Sequence, residues 1–245
     1  MSEAHKMVYN KHYVPLESNP TIFTRLIHEL GVSPSLAFYD VLSIDNSELL
    51  AFTPRPALAL ILVFPTSAKY EEHKAKEEAL RKCYDGCGED EQVMWYRQMI
   101  NNACGLYGIL HAISNGDSRR FILPDSHLSR FLESCRQLKP LDRARMLEND
   151  AELESAYSMF ALQGDSEVPE NPEDEVDFHY VCFVKSHKDG HLYEMDGDRK
   201  GPVDWGPLGS DEDVLDERSL YLVQEFIQRE DGCNANFSLL VLAPA

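Results

Sequence analysis

The order of elements along this chain predicts an α+β fold, and three stretches carry the prediction. Residues 20–30 place Phe23, Leu26, Ile27 and Leu30 at helical spacing. Residues 57–64 form a continuous apolar run of strand length. Residues 178–195 comprise two strand-like segments about an Asp189-Gly190 turn, the pattern of an antiparallel hairpin. With 245 residues, 43% of them hydrophobic and no internal repeat, one globular domain spanning residues 1–245 is expected.

Each element has a local reason. Asn19-Pro20 caps and opens the first helix, and Gly31 ends it. Residues 39–42 read as a short strand. Pro54-Arg55-Pro56 leads into the apolar run, which suits a central strand buried on both faces, and Pro65 stops it. Residues 69–82 are highly charged and read as a surface helix. Residues 104–114 are apolar nearly all round, as a central core helix would be, and close near Asn115-Gly116, where glycine accepts a left-handed conformation. Residues 127–135 and 141–149 read as two further helices, the second carrying Arg143 and Arg145. Residues 163–177 hold seven acids, Asp165, Glu167, Glu170, Glu173, Asp174, Glu175 and Asp177, with Pro169, Pro172 and no base, and read as a long mobile loop. A helix over 214–229 and a strand over 237–242 complete the chain.

Composition excludes several functions. A formal net charge of −19 repels nucleic acid and favours a partner with a basic face. The longest apolar run is far too short to span a bilayer, and the polar N-terminus does not resemble a leader, so a non-secreted protein is expected, cytoplasmic with nuclear entry open. In that setting Cys83, Cys87, Cys104, Cys135, Cys182 and Cys233 are expected to stay reduced. Cys83 and Cys87 have no second pair at metal-ligand spacing, and His187 and His191 flank the hairpin turn, so no metal or other cofactor is expected.

Residues 98–111 carry the most chemistry. They place Cys104 at the first turn of the core helix with Gln98 six residues upstream. A helix N-terminus presents unpaired N–H groups and partial positive charge, which favour a thiolate, and Gly105 is expected to leave the approach to sulfur open. A small cysteine ahead of an apolar run also fits a plain core residue. The hairpin supplies the rest, because antiparallel pairing brings His179, at the start of one strand, to the same end as Asp196, just past the other. Taken singly, His179 would fit a packing residue, Asp196 a turn former and Gln98 a helix-flank amide.

The segments at 13–20, 54–56, 98–105, 143–148, 176–179 and 190–197 together resemble the ubiquitin C-terminal hydrolases of the small single-domain type, over almost the entire chain. The resemblance implies a papain-like cysteine peptidase fold, with a central antiparallel sheet flanked by helices and a crossover loop, residues 147–176, over the active site. It implies Cys104 as nucleophile, His179 as general base and then acid, Asp196 as the group orienting the imidazole, and Gln98 as the oxyanion-hole side chain. The His179-to-Asp196 interval is two residues longer than the family pattern, and the extra residues are expected at 185–188, in the turn. For substrate, the resemblance implies ubiquitin, whose tail carries two arginines before Gly-Gly, with Pro15, Leu16, Glu17 and Asp40 at family contact positions. One further family acid position falls on Thr21.

The activity so implied is hydrolysis of amide, ester or thioester bonds after ubiquitin's terminal glycine, releasing small or unfolded leaving groups. Two alternatives stay open: the same chemistry on a Nedd8-like modifier, and a ubiquitin-binding protein with little turnover. A monomer is expected, since the chain ends soon after its last strand.

Overall fold

The structure, a computed structural model, describes residues 9–166, 169, 171–174, 176–229 and 236–245. Cys233 and the acids Glu167, Glu170 and Glu175 lie outside the described residues. In chain order the elements are β1 (Lys11–His12), α1 (Pro20–Leu30), β2 (Leu36–Asp40), α2 (Ser47–Leu50), β3 (Ala59–Pro65), α3 (Ala68–Ala79), β4 (Ile100–Asn101), α4 (Cys104–Ser114), α5 (His127–Cys135), α6 (Pro140–Glu148), α7 (Ala151–Ala161), β5 (Phe178–Lys185), β6 (His191–Met195), β7 (Val203–Pro207), α8 (Glu217–Arg229) and β8 (Ser238–Pro244).

Six strands form one antiparallel sheet in the order β2-β8-β3-β5-β6-β7, which establishes the α+β class. Strand β3, buried at every position, alternates its side chains between two cores: Ala59, Ile61 and Val63 meet one, Leu60, Leu62 and Phe64 the other. The first core contains α1, α4, α5 and α7; the second is covered by α8 through Leu220, Val223 and Phe226. Helix α4 is buried at all eleven residues and packs along β5, so the sulfur at its start lies beside the strand that carries His179.

Local signals account for several of these elements. Asn19 Oδ1 accepts the N–H groups of Thr21 and Ile22 at the start of α1. Gly31 ends that helix at φ 103°, where a Cβ would also lie 2.1 Å from Ser126 Cβ. The Ser186–Gly190 turn is closed by hydrogen bonds from Ser186 N to His191 O and from Gly190 N to Ser186 O.

Other expectations are corrected. The strand expected at 39–42 is β2, Leu36–Asp40, because Leu36 and Phe38 fill the core while the strand pairs with β8 from Leu36↔Pro244 to Asp40↔Leu240. Residues 147–176 are not loop throughout: α7 occupies Ala151–Ala161, capped by Asp150, which accepts Leu153 N, with Leu153, Ala156, Tyr157 and Phe160 buried at helical spacing. Three strands were not anticipated. The two-residue β1 and β4 pair in parallel with each other, and β7 is too exposed to show an apolar pattern.

A buried ion pair ties α6 to the segment before the cysteine helix. The Arg143 guanidinium meets both carboxylate oxygens of Glu91 at 3.0 and 2.8 Å, and also donates to Trp95 O (2.8 Å) and Leu138 O (3.1 Å). Both side chains are almost wholly withdrawn from solvent. Removing one partner leaves an uncompensated buried charge, so Glu91→Ala is expected to destabilise the protein by about 3–5 kcal/mol. Urea denaturation measures this, and a loss below about 1 kcal/mol would show the pair to be dispensable.

Candidate active site

Cys104 is the first residue of α4, and the preceding Ala103 offers no side-chain acceptor to the helix. The first-turn N–H groups are therefore not taken up by a side-chain cap. Tyr107 is held from the other side, its hydroxyl accepting Met99 N at 3.0 Å, which fixes the chain between Gln98 and Cys104. The Gly105 expectation is corrected: a Cβ there would press Leu16 Cβ at 3.3 Å and the Tyr180 ring at 3.6 Å, so this glycine makes room for packing rather than opening a path to sulfur.

Strand β5 brings His179 to the same place. Its Nε2 lies 2.8 Å from Asp196 Oδ1, and Cys104, whose Sγ lies 4.0 Å from Phe178 O on the same strand, is near enough to help raise the imidazole's pKa. With Nε2 taken by the carboxylate, Nδ1 is the nitrogen left for sulfur. Burial favours the neutral imidazole, but the negative charge and hydrogen bond of Asp196, together with Cys104, outweigh it and hold the His179 pKa well above the usual histidine value. Asp196 is fully buried, which alone would raise its pKa; His179, then Lys74 and Arg199, hold it below the usual carboxylate range.

Asp196 itself is held by several groups. Trp95 Nε1 donates to its carbonyl (2.9 Å) and Asp198 N donates to Oδ1 (2.9 Å). Arg199, also buried, sets Nε 2.9 Å from Glu194 Oε1 and 3.8 Å from Asp196 Oδ2, while its NH1 meets Glu77 at 2.9 Å. Lys74 stands behind on Asp198 at 2.7 Å. Sequence reasoning missed Arg199 and Lys74, whose charges read as surface until the fold buries them.

Gln98 is buried and clipped to this turn through Gln98 N→Gly197 O (2.8 Å). Gly197 fits closely there: a Cβ would lie 3.1 Å from both Gln98 Cβ and Tyr96 O, so these neighbours would have to give way to any larger residue. One amide hydrogen of Gln98 Nε2 goes to Ile100 O at 3.2 Å, and among the described residues neither the other hydrogen nor Oε1 has a partner.

A cavity of about 680 Å³ opens on Cys104 and is lined by Pro15, Leu16 and Glu17 on one side and by Val176 and Phe178 on the other. The N-terminal stretch is strapped down by Tyr157 Oη to Val14 O (2.6 Å) and Tyr180 Oη to Leu16 O (2.7 Å). Residues after α7 pass over this cavity. Asn102, at φ 57° and two residues before Cys104, donates to Pro172 O (3.0 Å) and Asp174 O (2.7 Å), and Glu17 Oε2 accepts Ser166 N (2.6 Å). Hydrogen bonds from Ser166 and Asn19 outweigh desolvation and lower the Glu17 pKa. The structure thus gathers Pro15, Leu16 and Glu17 beside Cys104, whereas Asp40 sits exposed at the end of β2, outside the cavity lining. Among the described residues no group of three His, Cys, Asp or Glu is placed to hold a metal ion.

With an imidazole standing between sulfur and a buried carboxylate, helix start against strand, the arrangement is that of a papain-like cysteine hydrolase. Comparison with known proteins narrows the class. The family described as "Ubiquitin carboxyl-terminal hydrolase, family 1" matches residues 13–228. Among curated relatives, ubiquitin carboxyl-terminal hydrolase 3 of Arabidopsis thaliana is 32% identical over 99% of both chains. Isozyme L1 of Homo sapiens is 34% identical over 94% of this chain and 98% of its own. The fold matches the crystal structure of the Trichinella spiralis UCH37 catalytic domain bound to ubiquitin vinyl methyl ester, with a TM-score of 0.74 at 22% identity, covering 96% of this chain and 97% of that one. The chain belongs to the ubiquitin carboxyl-terminal hydrolase family and is a deubiquitinating thiol hydrolase.

The charge on Asp196 works against burial to keep His179 protonated, which sets a sign for the pH dependence. In Asp196→Asn the His179 pKa falls, so the alkaline limb of kcat/KM moves to lower pH, and kcat drops on the order of 10²–10⁴-fold. A pH–rate profile of hydrolysis reads both; an unmoved alkaline limb would separate Asp196 from His179.

Proposed function

We propose that the chain hydrolyses bonds after the C-terminal glycine of ubiquitin, with Cys104, His179, Asp196 and Gln98 performing the chemistry. The Cys104 thiolate attacks the carbonyl carbon, and the oxyanion accepts hydrogen bonds from Cys104 N–H and the free amide hydrogen of Gln98 Nε2. The His179 imidazolium gives its proton to the leaving amine as the carbon–nitrogen bond breaks, leaving a thioester on Cys104. Neutral His179 then takes a proton from water, whose oxygen attacks the thioester. Collapse expels the thiolate and releases the ubiquitin carboxylic acid, which loses its proton to solvent, while His179 stays protonated for the next cycle. Asp196 keeps Nε2 as the nitrogen facing it, so that Nδ1 serves sulfur throughout.

The single observation that carries this reading is His179 placed between Cys104 and Asp196 with its charged form favoured. The segment anchored by Asn102 and Glu17 over the cavity supports small or unfolded leaving groups. A substrate tail with two arginines also suits a chain of net charge −19, which speeds encounter with a basic partner more than it tightens the final complex. Its entry would draw on Glu17, whose carboxylate would have to exchange Ser166 N for a guanidinium. Asp40, away from the cavity, suits a contact with the body of the modifier instead. The working form is a monomer.

Hydrolysis of a fluorogenic ubiquitin C-terminal amide by wild type and Cys104→Ala tests the assignment. The variant is expected to lose at least about 10³-fold in kcat/KM, on the scale of removing a nucleophile; equal rates would remove Cys104 from the mechanism. The same assay with a Nedd8 amide separates the modifiers, ubiquitin being expected to react faster.

A further inference from the structure

At the far end of β5 from His179, roughly 20 Å along the strand, the Ser186–Gly190 turn closes over a second cavity of about 400 Å³. Nothing in the hydrolytic site uses this turn. The cavity's other walls are the Gly88–Gln92 segment, the Gly116–Phe121 turn after α4 and Arg136 just past α5.

In a chain of net charge −19, the basic groups here are out of proportion. Four cations, Arg119, Arg120, Arg136 and Lys188, line the space. The three acids that share it are each committed to a particular cation. Glu89 pairs with Arg136 (2.6 Å), Asp117 with Arg120 (3.1 Å), and Glu91 with the buried Arg143. Among the described residues, two positive charges remain without a carboxylate partner. Arg119 has a single side-chain contact among the described residues, NH1 to His187 Nε2 at 3.2 Å. Lys188 Nζ donates to two uncharged groups, the carbonyls of Glu89 and Glu91 (2.5 and 2.6 Å), which leaves its third hydrogen free. Because His187 Nε2 accepts from Arg119, its proton sits on Nδ1, a further donor.

We infer that this cavity binds a phosphate dianion, free or as a phosphomonoester, held by the guanidinium fork of Arg119, the ammonium of Lys188 and the imidazole of His187. Two unneutralised charges match a dianion, and a guanidinium offers the paired N–H geometry that a phosphoryl group accepts. The imidazole reports the local potential. Burial, then Arg119 and Lys188, with Arg120 adding and Asp117 opposing, push the His187 pKa below its usual value. A dianion seated among these groups would reverse that push, since it favours the imidazolium.

The His187 ring therefore supplies the readout. Its NMR titration, assigned through His187→Gln, is compared in inorganic phosphate and in chloride at equal ionic strength. The His187 midpoint is expected to move upward by about half a unit or more in phosphate, saturably, and Arg119→Gln is expected to abolish the shift while hydrolysis of the fluorogenic amide stays at the wild-type rate. Adding Lys188→Gln gives an independent loss of at least tenfold in phosphate affinity. A phosphoserine peptide and its unphosphorylated form distinguish the source: a response to the phosphopeptide alone supports a phosphomonoester ligand, and a response to inorganic phosphate alone supports the free anion. A His187 midpoint that moves in neither phosphate nor phosphopeptide relative to chloride, a shift that persists in Arg119→Gln, or an equal response to the unphosphorylated peptide would overturn the inference.

Discussion

The 2.8 Å contact between His179 Nε2 and Asp196 Oδ1 is the interaction that most of the surrounding structure serves. A fully buried carboxylate is costly unless it is paired and hydrogen-bonded. This one is answered by His179 in front, by Asp198 N on the same oxygen, and by the Arg199 and Lys74 charges behind. The charged form of the imidazole is stabilised in turn, so the two groups keep each other ionised where water is scarce. That is the condition under which an imidazole can hold a proton beside sulfur and deliver it to a leaving group.

The same geometry explains why so much of the core is spent on this corner. Helix α4 has no solvent face, and its direction is set by packing along β5, which fixes where the sulfur starts. The chain approaching it is pinned by Arg143 to Trp95 O, and Trp95 in turn holds the carbonyl of Asp196. A buried ion pair on α6 is thus linked through one indole to the turn carrying the acid. Gln98 is clipped to Gly197 of that turn, so the amide and the carboxylate move as one piece.

Access is governed by a different set of contacts. The N-terminal stretch Val14–Leu16 is tied down by two tyrosine hydroxyls, and the segment after α7 is tied to Asn102 and Glu17. Glu17 therefore gives its carboxylate to the backbone of this covering segment. Asn102 stands at φ 57°, where asparagine is tolerated better than most residues, and it spends both amide hydrogens on the cover. Cysteine position and cover are thereby coupled within three residues of chain.

Local pattern was enough for the elements whose signals lie within one turn or one strand: α1 with its Asn19 cap and Gly31 stop, β3 as a strand buried on both faces, α5 to the residue, and the β5–β6 hairpin. The meeting of His179 and Asp196 was also legible, because antiparallel pairing about a known turn dictates which ends coincide. Helix α7 was legible in Leu153, Ala156, Tyr157 and Phe160 but was hidden by reading it together with the acidic stretch that follows. What the sequence by itself determined is the strand register that unites His179 with Asp196, since register is a local property of a hairpin. Only the tertiary structure decided that Arg199, Lys74 and Arg143 are interior charges, that Gly105 yields space to Leu16 and Tyr180, and that Glu17 faces the cleft while Asp40 does not. Burial and through-space fields depend on segments far apart in the chain, and no window of sequence contains both partners.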